Sequence, residues 1–201
     1  ILDALECRAR QLELDVLLLW PNGSGNLYTG RGYEPIGREW AGILAPPPPH
    51  HHPAVDGRLV RLVGRVPPPD LEVLRRREAW RVTRSREDWR RHLAIPQLEV
   101  FGWIDGDRVA AYAVCGKGAD LGGHVHELGG PDDALWALLT TLAQRRGEIP
   151  LLLPPWRQSL IATILAHGGI LAERPLCLGR VLTPRGSALG RDLHLSGLDS
   201  A

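Results

Sequence analysis

The chain has 201 residues, 44% of them hydrophobic, and its 24 Lys and Arg against 23 Asp and Glu leave a formal net charge of +1. That length suffices for one or two domains with a sizeable core, and the balanced charge gives no general pull toward nucleic acid or a membrane surface. No apolar run is long enough to span a bilayer and no signal-peptide pattern opens the sequence; the three widely spaced cysteines, Cys7, Cys115 and Cys177, fit small apolar side chains in a reducing, cytoplasmic setting.

In chain order, Leu2, Leu5, Ala9 and Leu12 recur at helical spacing, with Asp3, Glu6, Arg8 and Arg10 on other faces, which predicts a helix over Ile1 to Gln11. An apolar strand, Val16 to Trp20, stops at Pro21. The turn Asn22-Gly23-Ser24-Gly25 follows, then a short helical segment carrying Tyr28, then a Gly32-Tyr33 step into another strand. The chain contains no Met and opens at Ile1 inside the first predicted helix, which leads us to expect part of a longer protein. Residues 45–70 change character. Proline runs cannot donate ladder hydrogen bonds and favour extended chain, so they frame a linker, with one strand predicted from Arg58 to Val66. His50, His51 and His52 project in different directions along an extended chain, so no single tight metal site is expected there.

Residues 71–182 read as a complete unit. Helices are predicted over Leu71 to Trp80 and Arg86 to Ile95, the second capped by Ser85 with Asp88 three residues on. Strands follow at Leu98 to Ile104 and Arg108 to Gly116, joined by the hairpin signal Asp105-Gly106-Asp107. A third strand spans Leu121 to Leu128, a helix Asp132 to Arg146, a buried strand Pro150 to Leu153, a helix Gln158 to His167, and a last strand Leu176 to Leu182. An internal repeat runs through this order: ALECRARQLELDVLLLWP (Ala4 to Pro21) matches ALLTTLAQRRGEIPLLLP (Ala137 to Pro154) at an offset of 133 residues.

The stretch from Asp15 to Arg38 resembles the C-terminal half of the GNAT (Gcn5-related N-acetyltransferase) fold, an α/β architecture with a mixed, mostly antiparallel twisted sheet flanked by helices. Residues 71–182 follow the element order of a whole such domain, and the repeat makes the chain similar to tandem GNAT proteins. Residues 1–44 would be the back half of a first copy, 45–70 a linker, 71–182 a second copy and 183–201 a tail. The resemblance implies an acetyl-CoA-dependent acetyltransferase acting on an amine. It gives Asn22, with Ser24 and Gly25, the pantetheine arm of the cofactor, and Tyr28 the role of general acid toward the leaving thiolate. A phenol, neutral at pH 7, suits that task. The alternative for the same residues is a plain Asn-Gly turn and a core tyrosine with a satisfied hydroxyl.

The pyrophosphate-binding loop that the family places before this helix would precede Ile1. In the second copy that place is taken by Gly129-Gly130-Pro131-Asp132-Asp133, whose two acids would repel a pyrophosphate, and the position matching Tyr28 is Ile164 or Leu165. The second copy is therefore expected to be degenerate. Glu127 lies where many GNAT enzymes carry a base, with His124 and His126 on the opposite strand face, and no third metal ligand can be nominated. The runner-up function is a non-catalytic GNAT-like module that binds a ligand or partner. The expected partner is an amine-bearing acceptor, with no nucleic acid and no membrane, and a homodimer is left open.

Overall fold

A computed structural model describes residues 1–21, 25–48, 55–62, 68–79 and 84–183. In chain order the elements are α1 (Leu2–Gln11), β1 (Val16–Leu19), α2 (Asn26–Thr29), β2 (Glu34–Leu44), β3 (Arg58–Arg61), α3 (Pro68–Arg75), α4 (Arg86–Leu93), β4 (Glu99–Asp105), β5 (Arg108–Cys115), β6 (Val125–Gly129), α5 (Asp132–Arg146), β7 (Ile149–Leu153), α6 (Gln158–Ala166) and β8 (Ile170–Val181). The His50–His52 tract, Trp80 and everything beyond Thr183 lie outside the described residues. Among the described residues no helix is long and apolar enough to cross a membrane.

All eight strands form one sheet, in the order β1-β8-β2-β7-β6-β5-β4-β3. Every neighbouring pair is antiparallel except β6 and β7. Strand β5 shows why the sheet is covered on both faces. Its Ala111, Ala113 and Cys115 join a core with α5 and α6, while the alternating Tyr112 and Val114 join a second core with Trp89, Leu71 and Leu74 from α3 and α4. Helix α5 carries nine buried residues, as befits a helix apolar on nearly every side. Helix α4 starts in the capping box predicted from sequence: the Asp88 amide donates to Ser85 Oγ at 3.1 Å, and the Ser85 amide donates back to Asp88 Oδ2 at 2.9 Å.

The sequence repeat becomes a local two-fold axis, perpendicular to the sheet and passing between β8 and β2. It exchanges β1 with β7 and β2 with β8, which are the strands aligned by the 133-residue shift and its continuation. Strand β2, from the first repeat, thereby inserts between β7 and β8 of the second, pairing with β7 from Trp40 to Leu44 and with β8 from Glu34 to Ile43. Two ion pairs tie β2 to β8 near the axis, one on each face of the sheet: Arg38 with Glu173 at 3.1 Å, and Arg174 with Glu39 at 2.8 Å. Helix α1 is anchored through buried Glu6, which accepts from Arg180 on β8 at 2.7 Å.

Three elements differ from expectation. Helix α3 ends at Arg75, with a turn at residues 76–77, instead of running from Leu71 to Trp80. Strand β8 begins at Ile170, six residues before the predicted start, because Pro175 and the polar Glu173-Arg174 read as a break. Pro175 is tolerated since β1 covers β8 only from Leu178 to Val181, leaving Pro175 with a strand neighbour on one side alone. Strand β6 begins at Val125, after a glycine-bearing turn, instead of at Leu121.

The insertion of β2 leaves no room for a side chain at Gly42. A β-carbon there would sit 1.8 Å from the Ile170 carbonyl oxygen. We expect Gly42→Val to lower the unfolding free energy by about 3 kcal/mol, read from urea denaturation. Wild-type stability in that variant would contradict the placement of β2 between its two neighbours.

Candidate active site

The first repeat turns from strand to helix between β1 and α2, where the sequence places its candidate residues. Asn22 and Ser24 lie outside the described residues. Gly25 is buried and holds φ at +72°, a conformation that side chains other than glycine seldom adopt, and its carbonyl accepts from the Tyr28 amide at 2.9 Å to open the helix. A β-carbon on Gly25 would also meet Leu178 of β8 at 3.0 Å. Gly25 therefore has a structural task in seating the turn on the sheet. Tyr28 is half-buried on α2, and its ring packs edge-on against Tyr33 at a centroid distance of 6.1 Å. Tyr33 is buried, with its hydroxyl 3.4 Å from Glu6 and the Arg180 guanidinium over its ring.

The second repeat has the equivalent corner between β7 and α6. The 133-residue shift carries Pro21 onto Pro154 and the turn onto Pro155-Trp156-Arg157. Strands β6 and β7 meet in register at one position only, Val125 opposite Leu151, and so diverge beyond it. The mouth of that divergence is filled. Arg157 donates to the Gly130 carbonyl at 2.8 Å, pairs with Asp132, and makes a two-pronged pair with Glu78, which also accepts from the Trp156 indole at 3.0 Å. One guanidinium thus ties the end of the α3 segment to the β6–α5 loop and the β7–α6 loop. With Glu78 and Asp132 against Arg157, the described charges of this cluster sum to about −1, which opposes a pyrophosphate. Asp132 is drawn to Arg157 instead of capping α5, whose first turn starts from Pro131.

Glu127, at the strand position where a base was expected, is enclosed beneath α3 and α4. Its carboxylate accepts from Arg84 at 2.9 and 3.1 Å and from the Tyr112 hydroxyl at 2.8 Å, with Arg75 at 3.4 Å and His92 at 3.7 Å. Burial pushes this carboxyl up, but Arg75 and Arg84 outweigh it and hold the group below the usual range. A carboxylate locked in this way is a structural counter-ion and a poor proton acceptor. His126 sits at a bulge between β5 and β6 and bonds the Gly116 carbonyl through Nε2 at 2.9 Å, while His124 precedes the strand. Among the described residues no three His, Cys, Asp or Glu side chains converge on a metal-sized site. Arg75 and Arg84 were invisible as partners of Glu127 because they lie 52 and 43 residues away in sequence.

No family model and no curated protein matches the sequence. The fold does have counterparts. A GCN5-related N-acetyltransferase from Anabaena variabilis superposes with a TM-score of 0.64 at 13% identity, covering 94% of this chain and 52% of its own. One from Kribbella flavida gives 0.61 at 17% identity, with 94% and 48% covered. Eis1 from Mycobacterium abscessus gives 0.54 at 19% identity, with 94% and 54% covered. The chain therefore has the GNAT acetyltransferase fold and spans about half the length of these structures.

The cluster beneath α4 makes stability depend on pH. Burial, reinforced by Arg84, pushes His92 down to about 4 from its ordinary 6.5. The folded state resists a proton that the unfolded state accepts. The His92 contribution is thus complete above pH 6.5 and lost as pH falls toward 4, up to about 3 kcal/mol in all. Urea unfolding at pH 7 and pH 4.5 should show this drop, and His92→Gln should shrink it. An equal drop in both proteins would rule His92 out as its source.

Proposed function

We infer that this chain belongs to an N-acetyltransferase of tandem GNAT organisation, which moves an acetyl group from acetyl-CoA to the amine of a small molecule or protein. Its first repeat carries the working site and its second a closed one. The observation that carries this reading is the contrast between two corners related by one axis. At the first, Gly25 opens a turn that keeps Tyr28 half-exposed. At the second, Arg157 bridges the cleft, and the position matching Tyr28 is aliphatic, buried Ile164 or exposed Leu165. The fold supports the reaction class, and the corner residues fit the roles that class requires.

In this mechanism the Asn22–Gly25 turn holds the pantetheine arm. The acyl group would pass from the thioester to the deprotonated acceptor amine, the carbon–sulfur bond breaking as the carbon–nitrogen bond forms. Tyr28 delivers the proton that the thiolate takes up. When bound, acetyl-CoA supplies the activated acyl group. The pyrophosphate cradle would be provided by residues ahead of α1, where the helix N-terminus favours anions.

In the polypeptide that includes those residues, Tyr28→Phe should leave acetyl-CoA affinity nearly unchanged and lower turnover about 10²- to 10⁴-fold. The ring packing on Tyr33 is kept, so the thermal midpoint should hold. A thiol-release assay beside thermal melts makes the comparison. Wild-type turnover in the variant would remove Tyr28 from the mechanism, and no turnover in either protein would favour a non-catalytic binding module.

The closed cleft gives a separate expectation. Calorimetric titration of the 201-residue chain with acetyl-CoA should give no tight, saturable signal. A tight signal abolished by Arg157→Ala would show that the second corner is a binding site after all.

A further inference from the structure

The first corner is held from outside its own repeat. Helix α2 is a single turn of four residues with none buried, too short to keep its shape unaided. Tyr33 fixes it. The Tyr33 amide donates to the Tyr28 carbonyl at 3.2 Å, and the two rings meet edge-on. Tyr33 in turn is 2% exposed, and Arg180 and Glu6 clamp it. The Arg180 guanidinium lies 6.0 Å over the centre of the Tyr33 ring and donates to Glu6 Oε1 at 2.7 Å. The same oxygen accepts from the Tyr33 hydroxyl at 3.4 Å. Burial, reinforced by the Glu6 charge, pushes the Tyr33 hydroxyl up, so Tyr33 keeps its proton and serves as a post, not as a proton donor. Glu6 comes from α1, Tyr33 from the approach to β2, and Arg180 from β8, the last strand of the second repeat.

An ion pair is a poor filler for such a place. Glu6 is 4% exposed, and enclosing a carboxylate carries a desolvation cost that a well-packed apolar pair avoids. The second repeat takes the apolar option: the residue 133 positions after Glu6 is Leu139, fully buried in the α5 core. Stability alone therefore does not account for Glu6 and Arg180. The pair adds a fixed direction, because a charge-assisted bond holds its groups at one distance and angle, which two leucines do not.

We propose that Arg180 and Glu6 are positioning residues for the acetyl transfer: through Tyr33 they hold the Tyr28 hydroxyl where the leaving thiolate forms, so that the working site of the first repeat is completed by a side chain of the second. This inference rests on the proposed role of Tyr28 and adds two residues and the dependence of one repeat on the other. Small errors matter at such a site, since a misplacement of about 1 Å costs roughly 10²-fold in rate.

The test uses Glu6→Leu combined with Arg180→Met, which removes both charges and keeps comparable volume, beside Arg180→Lys, which keeps a cation for Glu6. In the polypeptide that carries the residues ahead of Ile1, the double variant should melt close to wild type. It should lower kcat about 10- to 100-fold and leave KM for acetyl-CoA unchanged. Arg180→Lys should recover most of the loss. In a Tyr28→Phe background the double substitution should cost nothing further, since it acts through the hydroxyl already removed. Should the double variant not fold, Arg180→Gln, which keeps the stem of the side chain, carries the same measurements. Wild-type kcat in the folded variant, or an undiminished loss in the Tyr28→Phe background, would overturn the proposal.

A measurement independent of turnover uses the 201-residue chain labelled with 3-fluorotyrosine, whose three tyrosines are Tyr28, Tyr33 and Tyr112. The Tyr28 fluorine resonance, identified by Tyr28→Phe, should move in the double variant and return toward its wild-type place in Arg180→Lys, with Tyr112 steady. An unmoved Tyr28 resonance would sink the proposal whether or not the protein transfers acetyl groups. A moved resonance in a protein without acetyl transfer would remove the catalytic reading alone and leave the clamp on Tyr28 standing.

Discussion

Strand β2 is the constraint on which the rest depends. It is the only described strand of the first repeat with second-repeat strands on both sides, and its hydrogen bonds to β7 and β8 convert two half-sheets into one. Without it β7 would lose its antiparallel partner and keep one registered contact with β6. A parallel pair touching at a single position cannot hold a strand in place. The divergence of β6 and β7 is thus affordable only because β2 secures β7 from the other side. The same insertion brings Leu178 against Gly25 and Arg180 against Glu6, so the geometry of the first corner is set by a strand some 150 residues further along the chain.

The two corners put one backbone plan to different uses. Both follow an apolar strand closed by a proline, and both lead into a helix. At the second, a long cationic side chain reaches across the cleft and bonds through all three of its nitrogens to acids and a carbonyl. Such a cluster is internally complete, and a ligand entering it must first break several charge-assisted bonds. At the first, the helix is a single turn with no buried residue, and Tyr28 rests on Tyr33. An accessible hydroxyl is thus a feature of the first corner, and a closed set of charges a feature of the second.

Much of this was legible in sequence. The repeat, the capping box at Ser85 and the hairpin at Asp105-Gly106 are local patterns with local causes, and they emerged where expected. The strand order was not readable, because nothing near Glu34–Leu44 says that it will lie between segments from residues 149 and 170 onward. Long-range ion pairs were equally hidden. Glu127 looked like a base by strand position, and only the fold supplied Arg75 and Arg84 to neutralise it. Nothing along the chain near Arg157 says that it will meet Glu78, 79 residues away. Local chemistry can be read from neighbours along the chain, whereas pairing across a sheet is decided by packing that summed over the whole core.

The axis between β8 and β2 has the form of an isologous interface, the two strands pairing antiparallel along one continuous register. In a true homodimer each substitution appears twice, once on either side of the symmetry element. Covalent fusion removes that penalty. An arginine can stand at residue 157 while a serine stands at the matching residue 24. The second half carries helix α5, with nine buried residues, and the Arg157 charge cluster, which together make a closely packed frame. In a fused pair either half can change its side chains without imposing the same change on the other.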